Sequence, residues 1–150
     1  MYLLKNDCQF ELKGVTFTVP ENYYIDADNM DVNANTLLFE SLDHHFQVSY
    51  KMEYHCKNVQ KALSDLQLSL YDHCEPIDEI EHNGLTGYCS TFGDEREQYC
   101  VARFLVEETG NDCTAFEFTV LTYQGNIEQI KESAAFKQLF DRIQRTKQTV

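Results

Sequence analysis

The alternation of apolar and polar positions is sharpest over 46–54, in the stretch FQVSYKMEY. Phe46, Val48, Tyr50, Met52 and Tyr54 fall on one side, and Gln47, Ser49, Lys51 and Glu53 on the other. A period of two predicts a strand with one buried and one polar face, which is the signature of an antiparallel sheet. Shorter strands are predicted over 9–12 and 15–19, the second closed by Pro20, which has no N–H to donate. Strands also fit 36–41, 77–81, 85–92, 99–106 and 114–123. The turns between them are 42–45, Asn83-Gly84, the GDERE tip at 93–97, and Thr109-Gly110-Asn111. Asn-Gly tolerates positive φ at both positions and so predicts a tight hairpin.

Two segments carry the helical period instead. Asn58 is placed to cap a helix over 59–71, whose apolar stripe is Val59, Leu63, Leu66 and Leu70. A second helix spans 126–143, and its stripe changes register near Ser133-Ala134-Ala135, which predicts a break. Strands, a helix, a run of meander strands and a closing helix predict an α+β fold with an antiparallel sheet.

Length and composition narrow this to one domain over 1–150. A chain of this length buries a core without staples, and 43% hydrophobic and 13% aromatic residues supply it. Two prolines and six glycines leave no linker. The net charge of −13, with twelve scattered basic residues, argues against nucleic acid and anionic membrane surfaces as partners. It favours a basic protein partner or acidity that serves solubility alone. No apolar run reaches the length of a membrane-spanning helix. Residues 1–7 lack a signal-peptide core, so a cytoplasmic location is expected, with Cys8, Cys56, Cys74, Cys89, Cys100 and Cys113 reduced.

Three stretches carry a resemblance. FTVPENYY has strand, Pro and then aromatics; IEHNGLTGYCSTF is a hairpin with Asn-Gly and then Gly-Tyr; SAAFKQLFDRIQ is a closing helix. In this order they resemble the PsbP-like superfamily, which includes PsbP subunits, the yeast Ran-binding nuclear-transport factor and bacterial DcrB-like proteins. Where that family carries Trp after the Pro, this chain has Tyr23 or Tyr24, and it has no Trp. Over 10–143 the resemblance implies an αβα sandwich, with the antiparallel sheet flanked by helices. It also implies a non-catalytic, protein-binding or chaperone/adaptor role, with no catalytic residue and no cofactor to carry over. A DcrB-like adaptor would hold an apolar segment of its client.

The candidate chemistry is sparse. His55-Cys56 and His73-Cys74 have the residue types of a zinc site, but the predicted helix between them is roughly 20 Å long, too far for one ion. An EF-hand loop starting at Asp26 needs Gly and Glu where the chain has Asp31 and Leu37. His44-His45 reads as a polar turn. Neither a nucleophile elbow nor a phosphate-binding loop is present, so enzymatic activity is not expected. If GDERE forms the tip, residue numbers of paired positions sum to about 189, which sets Cys89 opposite Cys100. That pair is the candidate for a thiol-based redox sensor or enzyme, against two small apolar residues in a sheet core. Candidate partner-binding residues are Tyr23, Tyr24, and Lys51 and Glu53 on the polar face of 46–54.

Overall fold

The structure is a computed structural model that describes residues 1–27, 35–68, 73–123 and 127–147. The end of the first predicted helix with Leu70, Asp31 of the acidic loop, and Asn126 lie outside the described residues.

Among the described residues the chain runs β1 (Tyr2–Leu3), β2 (Cys8–Leu12), β3 (Val15–Val19), β4 (Tyr24–Ile25), β5 (Thr36–Glu40), β6 (Phe46–Cys56), α1 (Val59–Leu68), β7 (His73–Cys74), β8 (Asp78–His82), β9 (Leu85–Gly93), β10 (Gln98–Thr109), β11 (Asp112–Thr122), α2 (Ile127–Glu132), α3 (Ala134–Asp141) and β12 (Gln144–Arg145). The main sheet is antiparallel, in the order β1-β4-β5-β6-β11-β10-β9-β7, with β8 also on β9. A second sheet, β12-β3-β2, lies over it.

The inner face of the main sheet holds the core. Tyr50, Phe39, Phe104, Phe116 and Phe118 are fully buried there, together with Phe17 and Val15 from the second sheet and Leu139 from α3. The rings of Phe17 and Tyr50 stack at 3.9 Å, and Phe118 meets Phe136 and Phe140 of α3. Burying such aromatic area is the main stabilising term of the fold. On the outer face, α1 packs over β9 and β10, where Leu63 meets Phe92 and Val101.

The helix break falls where the period predicts it. Ser133 caps α3, its Oγ accepting from the Phe136 N–H. Asn58 likewise caps α1, accepting from Lys61 N–H. Asn83 and Gly84 both have positive φ, as a type I′ hairpin requires. Gly87 has a different constraint: a Cβ there would meet the Arg103 carbonyl oxygen at 1.9 Å, so no other residue lets β9 approach β10 this closely.

Three expectations change. Leu66 is 39% exposed, because Val59, Leu63 and Gln67, at steps of four, face the sheet. Gln67 Nε2 donates to Ser90 Oγ and to the Glu75 carbonyl. Tyr54 is also exposed, at 39%, because the alternation of β6 is broken beyond Glu53. The hairpin between β9 and β10 pairs Gly93 with Gln98, so Cys89 faces Ala102 and Cys100 faces Thr91. The shift has a local cause. The Asp94 side chain accepts from the N–H of Arg96 and Glu97, drawing the turn into 94–97 and adding Gly93 to the strand. The offset is even, so both thiols stay on one face, as diagonal rather than direct neighbours.

Candidate functional site

The register of the strands fixes what the outer face presents. One row across the sheet reads Thr36, Lys51, Glu117, Arg103 and Tyr88, and the next reads Leu38, Ser49, Thr119, Val101 and Ser90. A third row reads Glu40, Gln47, Leu121, Tyr99 and Phe92. In each row the members on β9 and β10 lie on the half that α1 packs against, and those on β5, β6 and β11 lie beyond it. Leu38, Ser49, Thr119 and Leu121 are half-buried residues of this second half, away from β9 and β10, the strands on which α1 chiefly packs.

The two halves meet at Arg103. Its side chain is 2% exposed and bridges two carboxylates: Nη1 donates to Glu117 Oε2, and Nη2 donates to Glu53 Oε2 at 2.8 Å. Burial opposes the charge, but Glu117 and Glu53 outweigh it and hold the guanidinium firmly protonated. Arg103 Nε has no partner among the described residues, so the guanidinium is anchored by its two ends. Nothing in the alternation of β10 singles out Arg103, which takes one polar place among buried neighbours.

Of the four residues expected at a partner surface, the structure brings Lys51 and Glu53 onto this outer face, two positions apart on β6. Glu53 is committed to Arg103. Tyr23 is only 8% exposed and packs edge-on against Phe46, and burial pushes its hydroxyl up to about 12. It belongs to the main core, just ahead of β4, where it packs with Phe46. Tyr24 is half-buried and stacks on His44 at 5.2 Å, beside Glu40.

Cys89 and Cys100 line a different feature. A cavity of about 180 Å³ lies between β8, β9, β10 and the helices α2 and α3, bounded by both thiols, Phe118, Phe136, Phe140 and Lys131. Burial raises both thiols, Cys100 to about 11, so they stand protonated at neutral pH and are weak nucleophiles. Lys131 Nζ donates to Thr91 Oγ1 rather than to either sulfur.

A cysteine pair that sequence reasoning did not find lies at the other end of the sheet. Cys56 and Cys113 face each other directly across β6 and β11, with their Sγ atoms 2.7 Å apart. Strand pairing is not readable when the partners are separated by a helix and four strands, and a β-bulge sets their register.

No family model and no curated protein sequence matches the chain. Solved structures do. The solution structure of cyanobacterial PsbP (CyanoP) from Synechocystis sp. PCC 6803 superposes with a TM-score of 0.59 at 12% identity, covering 95% of this chain and 94% of that one. The crystal structure of the Saccharomyces cerevisiae Ran-binding protein Mog1p superposes with a TM-score of 0.53 at 14% identity, covering 92% of this chain and 87% of that one. A point mutant of Mog1 gives the same score and identity over 91% and 87%. With helices on opposite faces of an antiparallel sheet, and likeness over nearly the full length of each structure, this chain has the PsbP/Mog1-like α+β sandwich fold.

Proposed function

We propose that the chain is a non-catalytic protein-binding module, an adaptor or chaperone of the cytoplasm. It docks a basic protein partner on the outer face of the sheet, over β5, β6 and β11. The observation that carries this reading is the asymmetry of the cover: α1 packs chiefly on β9 and β10, away from half-buried Leu38, Ser49, Thr119 and Leu121. Leu38 and Leu121, with the small polar side chains of Ser49 and Thr119 between them, make a mixed face suited to a partner's amphipathic segment. The net charge of −13 favours a basic partner, chiefly through association rate. That Mog1p, of the same fold, is a Ran-binding protein supports a binding role without naming this chain's partner.

The test is affinity purification of the tagged chain from its native cells, with Thr119→Arg as the comparison. The expected result is one recurrent basic protein held by the wild type and lost by the folded variant. A partner retained by Thr119→Arg removes this face as the docking site, and no recurrent partner removes the adaptor reading.

A further inference from the structure

Along most of their length β6 and β11 pair so that Ala115 faces Glu53, and this register would set Cys113 against His55. A bulge intervenes: β6 places Tyr54 and His55 against Thr114 alone, and the register advances by one. His55 absorbs the extra residue at φ 63, a left-handed conformation uncommon for a side chain other than Asn, Asp or His. Two things follow from that one residue. Cys56 comes opposite Cys113, and its side chain changes face, away from the Met52 side and onto the outer face under Val59 of α1. Each thiol is 6% exposed. Each also donates to the other's carbonyl oxygen, Cys56 Sγ at 3.2 Å and Cys113 Sγ at 2.9 Å. The neighbouring residues repeat the pairing, with His55 Nδ1 3.2 Å from Asp112 Oδ2. Among the described residues no group of three or more His, Cys, Asp or Glu is placed to hold a metal ion.

We propose that Cys56 and Cys113 form a reversible disulfide that fastens the start of α1 to the sheet. The facing positions leave the two sulfurs 2.7 Å apart, already close to the bond length of about 2.05 Å that a disulfide needs. The oxidant is a small-molecule disulfide. It reaches Cys113 through a cavity of about 210 Å³ lined by Lys57, Asn58, Glu79, Thr86, Glu108 and Cys113. The Cys113 thiolate attacks one sulfur of the small disulfide, whose S–S bond breaks and releases one thiol. Cys56, losing its proton to solvent, then displaces the second thiol from the mixed disulfide. The protein gives up two electrons and two protons, and the small disulfide becomes two thiols. Burial and the adjacent Cys56 push the Cys113 thiol well above its ordinary value, so the exchange is slow near neutrality. The closed bond spans 57 positions of chain and constrains the unfolded state accordingly.

The test is to equilibrate the folded chain in glutathione buffers of increasing oxidised fraction, quench with an alkylating agent, and map peptides without reduction. The expected result is a species lighter by two hydrogen atoms, with two of the six cysteines protected and one linked peptide pair joining Cys56 to Cys113. Its Tm rises by roughly 10 °C over the reduced form. Cys113→Ser abolishes the link and the rise, and Cys89→Ser keeps both. The proposal is overturned by full alkylation of Cys56 and Cys113 in every buffer. It is overturned equally by a link between Cys89 and Cys100 in their place, or by adducts confined to Cys8 and Cys74. Because the mapping is done on the wild type, the outcome stands whether or not the variants fold, and it does not depend on any docking partner.

Discussion

The two halves of the outer face belong to one antiparallel sheet but differ in what covers them. Over β9 and β10, α1 buries Phe92 and Val101 beneath Leu63, which is fully buried itself. Over β5, β6 and β11 the corresponding positions are Leu38, Ser49, Thr119 and Leu121, half-buried and away from the strands on which α1 chiefly packs. One half is therefore covered core, and the other is the half proposed above as the docking surface. Arg103 marks the seam, and the Cys56–Cys113 pair lies where α1 leaves the sheet.

The comparison is broken most severely at the seam. Arg103→Ala leaves Glu117, 15% exposed, without its counter-charge, and the expected loss is about 3–5 kcal/mol in urea unfolding. Arg103→Met fills the volume and costs distinctly less, since a buried pair replaced by packing is often near neutral. Equal losses for the two variants would show that the charges themselves hold the seam. Next in size is the covered half. Leu63→Ala is expected to cost about 2–5 kcal/mol, from lost burial and the cavity left between α1 and β10. Thr119→Arg, on the open half, gives up a 3.3 Å hydrogen bond from Thr119 Oγ1 to Glu117 Oε1 and should cost less than Leu63→Ala, about 0.5–1.5 kcal/mol.

Raising pH gives a smaller and graded test. Burial lifts Cys100 from 9.0 to about 11, and Tyr23 from 10.0 to about 12. A raised pKa means that the native state holds its proton while the unfolded chain releases it. Each group's contribution is therefore complete below the unfolded value and is lost as pH climbs toward the folded value. Stability should be flat through neutrality and fall from about pH 9 upward, checked by thermal melts. In Cys100→Ala the early part of that fall should shrink. The smallest expected effect is on the inner face. Tyr50 is fully buried with no partner for its hydroxyl among the described residues, so Tyr50→Phe should leave stability unchanged or raise it by up to about 1 kcal/mol.

Much of the architecture was legible in the sequence because it rests on local rules. The period of two over 46–54, the Asn83-Gly84 turn and the register change at Ser133 each determine structure within a few residues. What was not legible depends on contacts far apart in sequence. Asp94 retunes one turn and moves Cys89 from opposite Cys100 to opposite Ala102. The His55 bulge flips the side of Cys56 and brings it to a partner in β11, and no pattern along β6 announces it. Tyr23 looked like surface because aromatics suit both a core rim and an interface; only the neighbouring Phe46 decides between them. The candidate surface was half legible: the polar face with Lys51 and Glu53 was visible, but its uncovered extent depends on where α1 docks.

The claim that the open half is the docking surface is tested most directly by site-specific photocrosslinking in native cells. A photoreactive side chain is placed at Ser49 on the open half, or at Lys137 on α3 across the sheet. The account predicts one discrete adduct with a basic protein from position 49 and none from position 137. Adducts from 137 alone, or the same adduct from both positions, would contradict it.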